Sequence, residues 1–524
     1  MKNKIYTALF LVSILLLQSC DDNFEEINID PTTAAEVDLG YKFPTAVLYA
    51  SGQRYESWRA NLIYSSTMVQ HIANTETYWS GDKYLLNTAY AEAFWTSQYP
   101  QTIKSIEDMK AGLEQAGDSS SVDYAIVKTL RVFEYQKMTD LYGDVPYSEA
   151  GKAYVDGDLR PAYDPQEEIY ADMLNELQEA VAIFEAGGTS SLGSADILYG
   201  GNIDSWRKWA NSLMLRLAMR MTKVDEASAQ QWAQRAIEGG VMESNDDIAY
   251  VRHEEGNGIV QNGNGETFTA DATPRMSDTF IEFLQNDPRL TIYASLPATD
   301  SEENTRTAAE RLDPAAQRGL PNGLDNSLLR DLTGESNTQD YSEPNRFYMT
   351  SEAAPMFFQT YAEVEFMMAE AAYRWGIAGG DAEAHYNAGI RAAMSYLELY
   401  SPEAVIGDAE IDDYIAANPY DAANALEQIN TQYWAATFLN EIESYSNWRR
   451  SGYPALTPVN YPGNVTNGTI PRRLTYMVSE QSTNAENYNA AVQSQGPDLL
   501  TTRIWWDVES VSYTHLRAHE TDSY

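Results

Sequence analysis

Apolar residues recur at helical spacing in seven long stretches, and this periodicity limits the chain to a largely helical fold. Between Trp206 and Met221, and again between Val364 and Trp375, the apolar side chains fall on one narrow face at about 100° per residue. Each of these helices therefore packs one side against a core. The predicted helices cover residues 125–141, 166–185, 205–222, 227–238, 360–375, 382–399 and 425–443.

A helical hairpin is predicted around residue 378. The helix from residue 360 meets Gly376, which readily takes the left-handed backbone that ends helices. Asp381 then offers a side chain that can accept backbone N–H bonds at the start of the next helix. Pairs of this kind stack in TPR-like scaffolds. We therefore predict a mainly α protein built from TPR-like hairpins, with little β structure.

Two arginines interrupt the apolar face of the 205–222 helix. Arg216 and Arg220 stand in the segment LMLRLAMRM, among residues that belong in a core. A buried guanidinium without a partner is strongly destabilising. We expect both arginines to pair with carboxylates if the helix is buried.

The first forty residues are typical of a lipoprotein leader. Lys2 and Lys4 precede an apolar run that ends in Leu-Gln-Ser-Cys at residues 17–20. We predict that residues 1–19 are removed as a signal peptide and that Cys20 carries lipid. Residues 20–40 are acidic and lack apolar periodicity, so we predict a tether between that lipid anchor and the body.

The body is predicted to span residues 41–507 without an internal linker. Residues 511–524 hold two of the five histidines of the chain and resemble nothing before them, so we predict a non-native tail there. Long polar connections, at 254–270 and 297–344, are expected to form a loop-rich face that carries binding.

Composition excludes several classes of function. The formal net charge of −42 disfavours nucleic acid, which requires a basic surface. Cys20 is the only cysteine, so no disulfide or thiolate metal cage is possible. No zinc, nucleotide or serine-nucleophile motif is present, and we predict no metal and no cofactor. With 77 carboxylates, chance pairs say little about a glycosidase.

Tyrosine and tryptophan are the informative excess, at 36 and 11 residues. Flat rings pack on the apolar faces of sugars while their polar atoms still form hydrogen bonds. Tryptophans 206, 209, 375 and 434 lie on helical faces and are predicted to be core. Aromatic and polar residues outside these faces are candidate ligand contacts, although a packing role is as plausible for each. They are Tyr55, Trp58, Asn74, Glu76, Tyr78, Trp79, Tyr341 and Tyr348.

An ordered set of segments resembles the SusD/RagB family of Bacteroidetes outer-membrane lipoproteins, closest to its second SusD-like branch. The matching segments are NFEEINIDP at 23–31, DLYGDVPYSEA at 140–150, YDPQEEIYADMLNEL at 163–177, SWRKWANSLMLRLAMR at 205–220, NDPRL at 286–290, TYAEVEFMMAEAAYR at 360–374, NWRRSGYP at 447–454, PRRLTYMVSEQSTN at 471–484 and RIWWD at 503–507.

This resemblance implies a scaffold of about four TPR-like helix pairs with a loop-rich face. It also implies a surface-exposed, lipid-anchored protein that captures poly- or oligosaccharides, or peptides, for a TonB-dependent SusC-like transporter. No catalytic residues come with the family, and Trp79 falls in the region where some members place a stacking aromatic. The alternatives are a surface glycoside hydrolase and a structural or adhesin lipoprotein without a small ligand.

Overall fold

The computed structural model describes residues 38–152, 157, 159–256 and 258–509. The predicted signal peptide, the lipidated Cys20, nearly all of the tether and the 511–524 tail therefore lie outside the described residues. Helix α1 begins at Leu39, two residues before the predicted start of the body.

Helices account for most of the described chain. The α-helices are α1 (Leu39–Ala50), α2 (Arg54–Glu56), α3 (Thr88–Ala91), α4 (Ala93–Gln98), α5 (Lys104–Ala116), α6 (Val122–Tyr142), α7 (Gln166–Ala186), α8 (Ile203–Arg220), α9 (Glu226–Glu238), α10 (Gly263–Ala270), α11 (Asp278–Leu284), α12 (Leu290–Tyr293), α13 (Ala308–Leu312), α14 (Asn326–Thr333), α15 (Tyr361–Trp375), α16 (Ala382–Ser395), α17 (Asp408–Ala417), α18 (Ala425–Ala436), α19 (Glu441–Ser451), α20 (Glu480–Thr483) and α21 (Ala485–Gln495). Two π-helical segments, Ser57–Ser66 and Tyr99–Ile103, continue α2 and α4.

The β structure is small and local, as predicted. Within the described residues it consists of three two-stranded antiparallel sheets. The strands are β1 (Ile72–Ala73), β2 (Ala249–Val251), β3 (Arg275–Met276), β4 (Ala294–Ser295), β5 (Glu343–Pro344) and β6 (Met356–Gln359). They pair as β1 with β3, β2 with β6 and β4 with β5.

Within the described residues, four pairs of successive helices pack together and form the scaffold. They are α6 with α7, α8 with α9, α15 with α16, and α18 with α19. Neighbouring pairs also touch, because α7 packs on α8, α8 on α15, and α15 on α18. The mainly α, TPR-like fold predicted from the sequence is therefore confirmed.

The hairpin between α15 and α16 has the predicted ends. Gly376 closes α15 in the left-handed region at φ 67°, and the Asp381 side chain accepts a 2.9 Å hydrogen bond from the Ala384 amide to begin α16. Thr360 and Glu363 start α15 with reciprocal side-chain caps.

The predicted helix over residues 425–443 is wrong. The chain instead forms two helices, because Leu439 takes a left-handed backbone at φ 70° between them. The side-chain oxygen of Asn61 accepts hydrogen bonds from the Glu441 and Ile442 amides at 2.9 and 3.1 Å. The cap of α19 therefore comes from a segment almost four hundred residues away, which local periodicity does not reveal.

The two arginines of α8 are buried and paired, as expected. Arg216 donates to Glu363 on α15 at 2.7 Å, and Arg220 donates to Glu443 on α19 at 2.6 Å. The Arg220 guanidinium also lies 3.4 Å from Asp140 on α6. Tyr433 on α18 also donates to Glu443, at 2.7 Å. The ion cluster therefore joins all four helix pairs.

Glu443→Gln is expected to lower the free energy of unfolding by about 3–5 kcal/mol, because it leaves buried guanidinium charge uncompensated. Burial opposes ionisation of Glu443, but Arg220 and Arg216 hold its pKa below the ordinary value. A depressed carboxyl pKa stabilises the fold at neutral pH, and that contribution is lost as the pH falls below the ordinary carboxyl value. Urea denaturation at several pH values measures both effects.

The control is Glu383→Gln, on the exposed face of α16. It should change stability by less than about 0.5 kcal/mol. A Glu443→Gln protein as stable as the control would show that the cluster does not hold the helix pairs together.

Candidate functional site

An open cavity of about 380 Å³ combines aromatic and polar groups on the surface. Its walls come from three separate parts of the chain. The lining residues are Arg54, Trp58, Tyr78, Tyr90, Thr267, Ala270, Asp271, Ala272 and Thr273.

The first wall is the start of the helix formed by α2 and the π-helical segment. The Gln53 amide donates to the Glu56 carboxylate at 2.6 Å, which fixes where this helix begins. Arg54 and Trp58 are four residues apart and therefore lie on the same side of the helix, facing the cavity. π-Helical turns often occur at functional sites because they shift side chains out of the regular register.

Helix α10 forms the second wall, although its sequence is rich in Gly and Asn and was expected to be part of a loop. The Asn262 side chain accepts from the Gly265 amide at 3.0 Å and caps the helix. A Cβ atom on Gly265 would come within 2.2 Å of the Ser351 carbonyl oxygen. The prediction of a loop over 263–270 is therefore wrong, because close packing and a side-chain cap stabilise a helix of low intrinsic propensity.

Asp271, directly after α10, holds the cavity together. Its Oδ2 accepts from the Tyr78 hydroxyl at 2.9 Å and from the Trp79 indole N–H at 3.2 Å. Its Oδ1 accepts from the Thr273 amide at 2.9 Å and from the Thr273 hydroxyl at 2.6 Å. Burial, together with the charge of Asp271, raises the pKa of Tyr78 to about 12, so the Tyr78 hydroxyl remains a donor at neutral pH.

The structure brings two of the predicted ligand residues together on the cavity wall. The rings of Trp58 and Tyr78 meet edge to face, with centroids 6.1 Å apart. Asn74 lies beneath them and donates to the Thr273 hydroxyl at 2.9 Å. Glu76 is half-exposed, and its amide donates to Asn74 at 2.8 Å, but it does not line the cavity.

Trp79 and Tyr341 do not present the ring face that a ligand would need. Trp79 is 0% exposed and Tyr341 is 1% exposed. Trp79 packs in the main core, while Tyr341 packs in a small separate cluster with Leu320 and Leu329. The expectation that these two rings contact ligand is therefore corrected, because both are enclosed by the protein.

The remaining predicted residues lie outside the cavity lining. Tyr55 is 55% exposed and is placed beside the guanidinium groups of Arg54 and Arg59, at 5.6 and 5.0 Å from its ring centroid. Tyr348 is partly buried against the core and lies next to the exposed Phe347.

Sequence reasoning identified two of the nine lining residues, Trp58 and Tyr78, and missed the other seven, which are Arg54, Tyr90, Thr267, Ala270, Asp271, Ala272 and Thr273. Arg54 and Tyr90 stand near predicted candidates but belong to no motif. Asp271 follows a stretch that was expected to be a loop, and one carboxylate among 77 carries no signal by itself. Only the folded chain brings it to Tyr78 and Trp79.

Two larger depressions, of about 550 and 750 Å³, flank α17. The rings of Tyr386 and Tyr414 at these depressions are almost fully buried. The larger depression is lined mainly by carboxamide and carboxylate groups, with the partly buried Phe283 at its wall, and the smaller one mixes such groups with proline, alanine and leucine. The smaller cavity beside Trp58 is the better candidate, because it joins open aromatic surface to directed polar groups.

Among the described residues, no group of three or more potential metal ligands is clustered. The described helices also include none with the length and apolar character needed to cross a bilayer.

Comparison with protein families identifies the chain. A model of SusD-like proteins, described as starch-binding and associating with the outer membrane, matches residues 43–477. The chain belongs to the SusD-like family. This confirms the resemblance seen in the sequence. No curated protein gave a significant match.

Solved structures support the same assignment. A chitin-binding protein is 33% identical, with a TM-score of 0.79 over 90% of this chain and 100% of the other. A Bacteroidetes SusD-like protein, AC2a, is 27% identical, with a TM-score of 0.77 over 90% and 100%. A chitin-binding SusD homolog from Flavobacterium johnsoniae is 26% identical, with a TM-score of 0.73 over 90% and 98%.

Trp79→Ala should destabilise this SusD-like protein by about 3–5 kcal/mol, because it leaves a core cavity and removes a donor to Asp271. Trp58→Ala should lose clearly less stability, because Trp58 is only half-buried. Urea denaturation of both variants measures the difference. Equal losses would contradict the assignment of Trp79 to the core and Trp58 to the surface.

Proposed function

We propose that this SusD-like protein captures oligosaccharides at the outer-membrane surface and delivers them, uncleaved, to a SusC-like TonB-dependent transporter. The Trp58–Tyr78 cavity is the observation that carries the proposal. The family description and the two relatives named as chitin-binding support a glycan as the ligand.

In the proposed mechanism, the half-buried ring of Trp58 packs against the apolar face of a sugar, and the polar rim orients its substituents. Each contact is modest, so we expect a weak affinity per site. Delivery then requires only that the transporter compete for a loosely held ligand.

The cavity favours binding over hydrolysis. Glycoside hydrolases generally need two carboxyl groups on opposite sides of the scissile bond. Asp271 is the single carboxylate among the lining residues, and four hydrogen bonds from Tyr78, Trp79 and Thr273 occupy it. A surface hydrolase is therefore the less favoured alternative.

Trp58→Ala is expected to weaken glycan binding at least tenfold, because it removes the stacking surface. Calorimetry with chito-oligosaccharides, followed by a wider glycan panel that includes starch fragments, measures this. Trp232→Ala is the matched control, since Trp232 is also partly buried but lies on α9, away from the cavity.

Equal binding by both tryptophan variants would place the ligand elsewhere. Release of shorter oligosaccharides by the pure protein would favour the hydrolase. Failure of the whole panel to bind would favour a peptide ligand, or a structural role without a small ligand.

The proposed surface anchor is lipid on Cys20. Cys20→Ser is expected to move the protein from the membrane fraction to the soluble fraction, because no acyl chains would remain to hold it. Fractionation of cells that express each form measures this, with copurification of the transporter as a second readout. A Cys20→Ser protein that stays in the membrane fraction without its transporter would contradict lipid anchoring.

A further inference from the structure

Beside the cavity, three nitrogen donors have no hydrogen-bond partner. The Nε atoms of Arg54 and Arg59 and the indole nitrogen of Trp58 are all shielded from water and have no hydrogen-bond partner. Unmatched donors of this kind are uncommon in folded proteins and need an explanation. All three belong to one turn of the helix that forms the first cavity wall.

The nearest acceptor is already occupied. A carboxylate offers about four lone-pair positions, and Asp271 receives four hydrogen bonds from Tyr78, Trp79 and Thr273. Asp271 therefore has little capacity left for the hydroxyl groups of a sugar. The partly exposed guanidinium of Arg54 lines the same cavity and offers N–H donors to a ligand.

Aromatic rings, rather than carboxylates, hold the two arginines. The guanidinium of Arg59 lies 5.0 Å from the centroid of Tyr55 and 5.1 Å from that of Tyr90, a lining residue. Arg54 lies 5.6 Å from Tyr55 and itself lines the cavity. Stacking of this kind fixes the plane of a guanidinium and leaves its terminal N–H groups free to bind.

Across the described chain, no carboxylate forms an ion pair within 4 Å of Arg54 or Arg59. The charge of Arg54 reaches Glu266 only at longer range, where it opposes the rise in the pKa of Glu266 that burial causes. Most other arginines in the described chain do pair with a carboxylate, so these two neighbours belong to a minority.

We propose that Arg54 and Arg59 make this cavity selective for sugars with a neutral exocyclic carbonyl group, such as an acetamido substituent. The proposal rests on the glycan-binding function proposed above. The carbonyl oxygen of an amide carries more negative charge than a hydroxyl oxygen and is the stronger hydrogen-bond acceptor, which suits guanidinium groups that have no carboxylate partner. A polyanionic glycan also has carbonyl oxygens, but the net charge of −42 opposes its approach.

The test compares oligomers that share one β-1,4-linked backbone and differ at one ring substituent. Chitohexaose carries acetamido groups, cellohexaose carries hydroxyls, and fully deacetylated chitosan hexamer carries ammonium groups. Calorimetry with the purified protein should give chitohexaose at least a tenfold higher affinity than cellohexaose. The net charge of −42 attracts the cationic chitosan hexamer non-specifically, so its binding should weaken steeply with salt, whereas that of chitohexaose should not. Oligogalacturonate is included to test whether negative charge by itself is recognised.

The double variant Arg54→Gln and Arg59→Gln should bring the ratio of chitohexaose to cellohexaose affinity close to one. The matched control is Arg235→Gln. The guanidinium of Arg235 also lies over an aromatic ring, 4.9 Å from the centroid of Trp232, but Arg235 is exposed and lies on α9, away from the cavity. This control should keep the full preference. Thermal unfolding of each variant checks that the fold is retained.

The outcomes separate this proposal from the proposed function. Equal affinity for chitohexaose and cellohexaose would overturn the carbonyl preference and leave glycan capture standing. Tighter binding of oligogalacturonate that weakens steeply with salt would also overturn it, in favour of recognition by charge. A full preference in a folded double variant would remove the arginines from the explanation, and binding of no glycan would overturn both proposals.

Discussion

The buried ion cluster on α8 constrains the whole scaffold. Two guanidiniums in a core must find carboxylates with good geometry, since an unpaired buried charge costs several kcal/mol. Arg216 and Arg220 find them on α15, α19 and α6, so the helix pairs can stack in only one register. Helix α19 then packs against the π-helical segment and takes its cap from Asn61. The same contacts hold the segment that carries Trp58, so the cluster in the core also determines where the cavity forms.

The cavity depends on the carboxylate of Asp271, as the scaffold depends on its buried ion cluster. The Asp271 carboxylate accepts hydrogen bonds from Tyr78 and Trp79, and these bonds hold the turn that contains both residues against the end of α10. Trp79 therefore supports the position of Tyr78, because both donate to Asp271. A fully buried ring cannot stack on a sugar, whereas the half-buried Trp58 can.

The acidic character of this protein suits the function that we propose, which is the transfer of neutral ligands. Its negative charge keeps it soluble and gives no general attraction to sugars, so recognition has to come from shape, stacking and a few directed hydrogen bonds. Arginines held by tyrosine rings supply such bonds at a fixed angle, without the neutralising carboxylates that surround most other arginines in the described chain.

The sequence by itself determined the helical class, the hairpin at Gly376 and the pairing of the core arginines, because apolar periodicity, helix-end residues and the cost of burying a charge can be read from local sequence. It also determined the family, because the family is marked by linear motifs. It also placed Trp58 and Tyr78 among the candidates. The break at Leu439, the helix over 263–270 and the burial of Trp79 and Tyr341 were decided by the tertiary structure. For the break at Leu439 and the burial of Trp79 the deciding partners, Asn61 and Asp271, lie far away in the chain, and a contact that forms only on folding leaves no local pattern.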